Sequence, residues 1–379
     1  MLDNSKKIYA IATDPIYIGT GGYTIGRVDN TIVRDPITKI PKIPGSSLAG
    51  TWRYYVALEL ISKVKDYQPD FNTIKNRSES SLVDKIKNEP WKNGFSNNRW
   101  LSFYGNKIAK ITCAGQDNLP QETLAESPFK TDKDGNTGHC GHCIVCKAFG
   151  FSKKDCSWQG MLFFSDFNIL FFPVYTRLGV KWISSQRILK EAGILNNGDT
   201  VEEKEIVCAQ EQIEDTKREG YINLGWLNFP YKIEKLNIDL SSIVISSLAE
   251  KDIIIVPDSL ISQIINSNLE VRTSVSIDPI TGAAKEKALF TSEAIPRGTI
   301  FYGNIRLFDK TSLGDNNLPE ATYIWNALED AKKYYNIFGI GGMTTRGFGR
   351  MKILTELSSS SSGNNSNHDD NGGGNEDGQ

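Results

Sequence analysis

Apolar and polar residues alternate from Lys7 to Asp14 (KIYAIATD) and the run stops at Asp14-Pro15, which predicts a first β-strand closed by a turn. The turn residues Arg34-Asp35-Pro36 and Ile43-Pro44-Gly45 then lead into a helix. Ser46 and Ser47 can each cap it, and Leu48, Trp52, Tyr55 and Val56 recur at the i, i+4, i+7, i+8 spacing of one helical face. Residues 160–174 (GMLFFSDFNILFFPV) are apolar at nearly every position and predict a buried strand, interrupted at Ser165-Asp166. The same succession returns towards the C-terminus. Residues 299–308 read as a strand, 319–338 as a helix with Ile324, Leu328, Ala331 and Tyr335 on one face, and 348–354 as a last strand. Strand, helix, strand twice over predicts an α+β fold, a ferredoxin-like (RRM-like) βαββαβ core with its helices on one face of the sheet.

The remaining stretches are expected to be insertions into a single domain spanning 1–357. One, at about 63–158, is polar, then rich in glycine and aspartate, and ends in a cysteine cluster. The other, at about 175–290, mixes a charged run that reads as helical (201–219), an aromatic piece (YINLGWLNFPY, 221–231) and an apolar strand or helix (242–266). Residues 358–379 are Ser, Asn, Gly and Asp with little else, cannot bury a core, and are expected to be disordered.

Composition alters this picture little. With 39% hydrophobic and 23% charged residues, the 379-residue chain is that of a soluble globular protein. No stretch approaches the roughly 20 apolar residues of a membrane span, and MLDNSKKIYAIA lacks a signal-peptide layout; a cytoplasmic protein without membrane contact is expected. Net charge is −2, but the tail holds four acids and no Lys or Arg, leaving 43 basic against 41 acidic residues in the body. A nucleic-acid surface would therefore be a local patch with main-chain donors. Only three histidines occur, His139 and His142 among the cysteines and His368 in the tail, which argues against a Ser-His-Asp triad or a paired-histidine ribonuclease.

Four features can carry chemistry. The helix start IPGSSLAG offers unsatisfied N–H groups, the hydroxyls of Ser46 and Ser47 and the small Gly45, and Lys42 and Arg53 tilt the reading from a merely well-capped helix towards a phosphate site. The run GIGGMTTRGFGR (339–350) holds five glycines where a helix-to-strand turn needs one or two. Gly341, Gly342 and Gly347 leave amides uncovered, Thr344 and Thr345 add hydroxyls, and Arg346 and Arg350 add charge; with the first glycine-rich loop at 19–26 it would form one polyanion-binding surface. No Gly-Lys-Ser/Thr follows, so it is not a Walker loop. In GHCGHCIVCKAFG, Cys140, Cys143 and Cys146 have the spacing to reach one tetrahedral ion, with Cys113 the best fourth ligand and His139 or Cys156 as alternatives, which suits a closed structural zinc. Asp29 in its glycine-flanked loop reads by itself as a turn-former, though an ionised carboxylate there is also a good metal ligand or water-orienting group.

In order along the chain, DN-x-IVRDPIT-x-x-P-x-IPGSSLAG, the cysteine cluster running into Phe149-Gly150, a 271–305 segment with ID-x-x-TG-x-A and E-x-x-P-x-G-T-x-F, and a closing GG-x-x-x-RGFG-R resemble one family. It is the Cas-seven backbone subunit of type III CRISPR effector complexes, the RAMP-superfamily subunits of the Csm and Cmr complexes. The resemblance covers 8–62, 140–175 and 271–353, and residues 160–174 resemble the Cmr type more than the Csm type. It implies an RRM-like fold whose copies stack along a guide RNA (crRNA) as a filament, beside other type III subunits. It also implies a thumb hairpin, nearest 272–290, that kinks the guide, and an aspartate that cuts the paired target RNA with magnesium or manganese. Asp29 takes that aspartate's position. Guide phosphates would lie on Ser46, Ser47, Arg53 and the 341–350 loop; the family's lysine after GSSL is Ala49 here, which weakens one contact or passes it to Lys42. Two other readings remain: a non-catalytic backbone subunit with a vestigial Asp29, and a RAMP-type guide-processing ribonuclease, which usually relies on histidine and is disfavoured by the histidine count.

Overall fold

The structure is a computed structural model that describes residues 4–21, 28–64, 111–115, 139, 143–153, 156–195, 206–209, 219–234, 238–241, 243, 252–310 and 318–358. The tail after Ser358, most of 63–135, residues 22–27 of the first glycine-rich loop, Cys140 and His142 lie outside the described residues.

β1 (Ser5–Ala12) lies at the middle of the expected core, with Ile8, Ala10 and Ala12 buried. It pairs antiparallel with β14 (Ile300–Leu307), Tyr9 opposite Tyr302, and with β15 (Met351–Ile353), Ile11 opposite Lys352. β14 pairs antiparallel in turn with β5 (Leu162–Phe164) and β6 (Phe167–Thr176). The order β15-β1-β14-β6 interleaves the two strand–helix–strand units, as a ferredoxin-like core requires. The break between β5 and β6 falls at Ser165-Asp166, where the apolar run is interrupted.

Both expected helical stripes are buried. On α1 (Gly45–Val64), Leu48, Trp52, Tyr55 and Val56 are at most 3% exposed; on α5 (Ala321–Ala331) and α6 (Lys333–Ile337), Ile324, Leu328, Ala331 and Tyr335 are at most 1% exposed. The Trp52 indole N–H donates to the Leu328 carbonyl at 3.1 Å, and its ring meets Tyr335 edge-on at 5.1 Å. The Tyr55 hydroxyl donates to the Gly339 carbonyl. The two helices are thus fastened to each other and to the entry of the second glycine-rich loop, and each buried aromatic has its polar atom satisfied.

β6 also carries the sheet beyond the core. Its second half pairs with β7 (Gly179–Ser185), which leads into α3 (Gln186–Ala192). The sheet continues through β11 (Ile253–Val256), β8 (Ile206–Ala209), β10 (Leu227–Glu234) and β9 (Glu219–Leu224). β8 corrects the helical reading of 201–219 at that point: Ile-Val-Cys-Ala pairs with β10 on one side and β11 on the other. Its β-branched residues suit a pleated surface better than a helix, and two neighbours outweigh the charges around it. The aromatic piece is the β9–β10 hairpin, turning at Gly225 (φ 65°), and 242–266 contains β11 and all but the last residue of α4 (Asp258–Ser267). A short β2 (Lys42–Ile43) joins the edge of β6. α2 (Ile144–Phe149) precedes a separate hairpin of β3 (Gly150–Lys153) and β4 (Cys156–Gln159).

β12 (Glu270–Ile277) and β13 (Ala284–Ala294) form a further two-stranded sheet. Its outer half is exposed, with Ile280 at the tip 93% accessible, and it stands where the resemblance expects a hairpin. No helix of the described residues is long and apolar enough to cross a membrane.

Candidate functional site

Asp29 sits on an extended segment laid along β13. Asn30 N–H donates to Thr291 O and Glu293 N–H donates to Asn30 O, both at 3.0 Å, so the segment runs parallel to the strand. Asp29 Oδ2 accepts the backbone N–H of Thr291 at 2.8 Å and its hydroxyl at 2.9 Å, while Asp29 N–H donates to the same hydroxyl at 3.1 Å. Among the described residues nothing donates to Oδ1. The side chain is exposed, and the Thr291 N–H, then the Thr291 hydroxyl, hold the carboxyl below the usual carboxylate range. Asp29 is therefore an ionised, oriented and accessible carboxylate.

Further along the segment, the Arg34 guanidinium pairs with Glu293 at 2.6 Å and donates to Asn266 Oδ1 at 2.8 Å and the Ile32 carbonyl at 3.0 Å. Glu293 is buried, so this ion pair ties the Asp29 segment to the hairpin base and to α4.

The second glycine-rich run packs against residues 15–18, just ahead of the first, whose residues 22–27 lie outside the described ones. Gly342 N–H donates to the Tyr17 carbonyl at 3.0 Å and Gly349 N–H to the Pro15 carbonyl at 2.8 Å, with the Tyr17 and Phe348 rings edge-to-face at 6.5 Å. Gly341 (φ 85°) serves this packing: a Cβ there would lie 2.2 Å from the Tyr17 carbonyl oxygen. Replacing it with alanine combines that clash with a left-handed backbone, and should cost at least about 1–2 kcal/mol, read as a lowered midpoint in thermal unfolding. Arg350 is paired with Asp14, with one nitrogen–oxygen distance of 3.1 Å. Thr345, Arg346 and Gly347 stay exposed on the turn Thr344–Arg346.

The hairpin joins the same assembly. Arg272 donates to the Gly347 carbonyl at 3.2 Å, lies over the Phe348 ring at 4.6 Å and pairs with Glu270 at 2.6 Å. Between hairpin and loop runs an open groove of about 510 Å³, lined by Ser274, Val275, Ser276, Ile277, Phe290 and Arg346.

The start of α1 is more self-contained than the sequence suggests. Asp166, at the β5–β6 break, accepts Gly45 N–H at 2.8 Å and pairs with Lys42 at 2.6 Å; Lys42 also reaches Asp35 at 3.3 Å. Burial opposes ionisation of Asp166, but the Lys42 ammonium and the Gly45 N–H outweigh it. Asp35, held mainly by the Thr38 N–H, is lowered to about 2. Lys42 is thus balanced by two carboxylates, and Gly45 makes room for the Phe164 carbonyl, 2.6 Å from where a Cβ would stand. Ser46 is exposed and Ser47 half-buried.

Arg53 points elsewhere. Its Nε donates to the Cys113 carbonyl at 2.8 Å and a terminal nitrogen lies 2.9 Å from His139 Nδ1. There the buried sulfurs of Cys113, Cys143 and Cys146 all lie within 4.8 Å of one another, and Cys146 Sγ is 3.9 Å from His139 Nδ1. The cluster is built from the 3-10 turn Ile111–Ala114 and the start of α2, and three buried thiolates so close can hold a metal ion. Cys140 lies outside the described residues and nothing is described of the Cys156 side chain.

Sequence reasoning missed Thr291, Asp166 and Arg272 as partners. Glu293 and Arg34 do stand in the quoted motifs, and their opposite charges were the one available signal, but no spacing rule links positions so far apart.

The fold and site together define a ferredoxin-like scaffold that sets an ionised carboxylate at the base of an exposed hairpin, beside a glycine-rich, arginine-bearing turn. The chain belongs to the RAMP superfamily, whose sequence model matches residues 10–352. It is 41% identical over 61 residues to the CRISPR system Cms endoribonuclease Csm3 of Streptococcus thermophilus, 16% of this chain and 28% of that one. It is 56% identical over 36 residues to the protein of the same name from Methanothermobacter thermautotrophicus, 10% of this chain and 15% of that one. The matches thus span less than a third of these curated relatives. A chain of the type III-B Cmr-beta complex bound to cognate target RNA has the same fold, with a TM-score of 0.51 and 14% identity over 92% of this chain and 96% of that one.

Proposed function

We propose that this chain is a guide-RNA (crRNA)-binding backbone subunit of a type III CRISPR effector complex, cytoplasmic, that cuts base-paired target RNA at Asp29. The observation that carries the reading is the ionised, exposed Asp29 at the base of the β12–β13 hairpin in a RAMP-superfamily chain. Relatives named CRISPR endoribonucleases support the reaction, and a similar fold in a target-bound type III-B complex supports target RNA and other type III subunits as partners.

The groove beneath the hairpin has the chemistry of a strand-binding surface: Phe290 and Ile277 offer apolar contact to bases, Ser274 and Ser276 hydroxyls, and Arg346 a charge for phosphate. Ser46, Ser47, Gly341, Thr344, Thr345 and Gly347 add hydroxyls and amides, while Lys42, Arg53, Arg350 and the Gly342 N–H are committed to Asp166, Cys113 with His139, Asp14 and the Tyr17 carbonyl.

Cleavage would proceed by in-line attack of a 2′-hydroxyl oxygen on the adjoining phosphorus: its proton passes to water, the bond to the next nucleotide's 5′-oxygen breaks, and that oxygen takes a proton from water, leaving a 2′,3′-cyclic phosphate and a 5′-hydroxyl. The hairpin supplies strand geometry and Asp29 a fixed negative charge beside the reacting group. Magnesium or manganese would supply positive charge at the phosphate oxygens. Oδ1 of Asp29 can hold such an ion. Among the described residues the only cluster of three or more metal-ligating side chains is the cysteine one, so the RNA phosphates would provide the remaining ligands. That solitary carboxylate also favours the second reading, a purely structural subunit. The cysteine cluster would hold zinc, closed and structural.

RNA isolated from the purified protein tests the guide-binding part. A uniform length with a repeat-derived end is expected; protein free of RNA, or loaded with random cellular fragments, would sink it.

A further inference from the structure

We infer that Thr291, on the return strand of the hairpin, is a positioning residue for Asp29, fixing one carboxylate oxygen and leaving the other for the RNA and its ion. The inference rests on Asp29 being the cutting residue.

Three hydrogen bonds close a small ring between the two residues. The Thr291 hydroxyl receives Asp29 N–H and gives its own proton to Asp29 Oδ2, and the Thr291 backbone N–H reaches the same oxygen. An exposed aspartate otherwise turns freely about its side-chain bonds. Two donors on one oxygen, both from a single strand residue, remove that freedom and select which oxygen is presented.

The ring is itself held in place. Asn30 exchanges backbone hydrogen bonds with Thr291 and Glu293, and Asn30 Nδ2 reaches the Ser292 hydroxyl at 3.3 Å. The Glu293 carboxylate pairs with Arg34 and accepts Ile32 N–H at 3.4 Å. Residues 291–293 thus act as a template along which the Asp29 segment is laid. Their strand belongs to the hairpin whose opposite strand lines the groove, so the carboxylate is registered to the element that would grip the RNA.

Thr291→Val removes the hydroxyl and keeps the backbone N–H and branched shape, whereas Thr291→Ser keeps the hydroxyl. Each is compared with the parent and with Asp29→Ala in RNA-loaded complex, using single-turnover cleavage of an end-labelled RNA complementary to the copurified guide. Thr291→Val should cleave roughly 10- to 100-fold more slowly at saturating target, with half-saturation and guide content unchanged, and Thr291→Ser should restore most of the rate. A Val variant as fast as the parent, beside an inactive Asp29→Ala, would overturn the positioning role and leave Asp29 standing. Loss of guide from the Val variant, or a Ser variant equally slow, would make Thr291 structural and overturn it as well. Unimpaired cleavage by Asp29→Ala would remove the reading beneath the inference.

Discussion

Replacing Asp29 with alanine should lower cleavage of guide-paired target RNA by roughly a hundredfold or more, while the complex keeps its guide at full occupancy. The two effects separate because of where the side chain sits. Asp29 is exposed and its carboxylate bonds only to Thr291 among the described residues. Truncation opens no cavity and leaves the Thr291 donors to water. The segment's attachment runs through the Asn30 backbone and the Arg34–Glu293 pair, which the substitution spares. Asp29→Asn is the sharper companion, since it keeps shape and loses charge; if charge at that oxygen is what the reaction uses, both variants fail alike. Single-turnover assays with a labelled target, alongside quantitation of bound guide, make the measurement. Persistent cleavage in both variants would favour the purely structural subunit.

Cys143→Ser or Cys146→Ser should abolish the zinc binding proposed for the cysteine cluster and collapse the thermal midpoint, or leave the chain insoluble. A structural zinc contributes on the order of 10 kcal/mol in small domains, more than most folds hold in reserve. Here the thiols are fully buried, and the turns that carry them pack against α1. Arg53 extends the dependence: its contacts to the Cys113 carbonyl and His139 link the cysteine cluster to the helix whose start borders Lys42 and Asp166. Metal analysis of purified protein, followed by thermal unfolding with and without a strong chelator, checks this. An unchanged midpoint in metal-free protein would remove the structural role.

How much of this is legible in the sequence depends on whether the information is local. The two helical stripes, the break at Ser165-Asp166 and the clustering of Cys143 and Cys146 follow from periodicity and spacing, and each stands in the structure where the pattern puts it. Charge is different. Lys42 and Arg53 count as two free cations on paper, but folding brings Asp166 from 124 positions away to the first and the Cys113 carbonyl to the second. The glycines of the 339–350 run suggested uncovered amides, yet Gly341 and Gly349 are there because the Tyr17 and Ile340 carbonyls leave no space for a side chain. Thr291 is one hydroxyl in a strand of ordinary composition. Only its pairing with the segment some 260 residues earlier distinguishes it, and that pairing is a property of topology.

The contact of the second glycine-rich run with Pro15 and Tyr17 bears on how the protein is made. Gly342 and Gly349 leave the ribosome more than 320 residues after Tyr17 and Pro15, their hydrogen-bond partners. β1 likewise waits for β14 and β15. Loop closure over such separations is slow and comes late. On the proposed function, the RNA-facing surface would stay unfinished until the second run has emerged, and chains lacking that run would stay out of the complex.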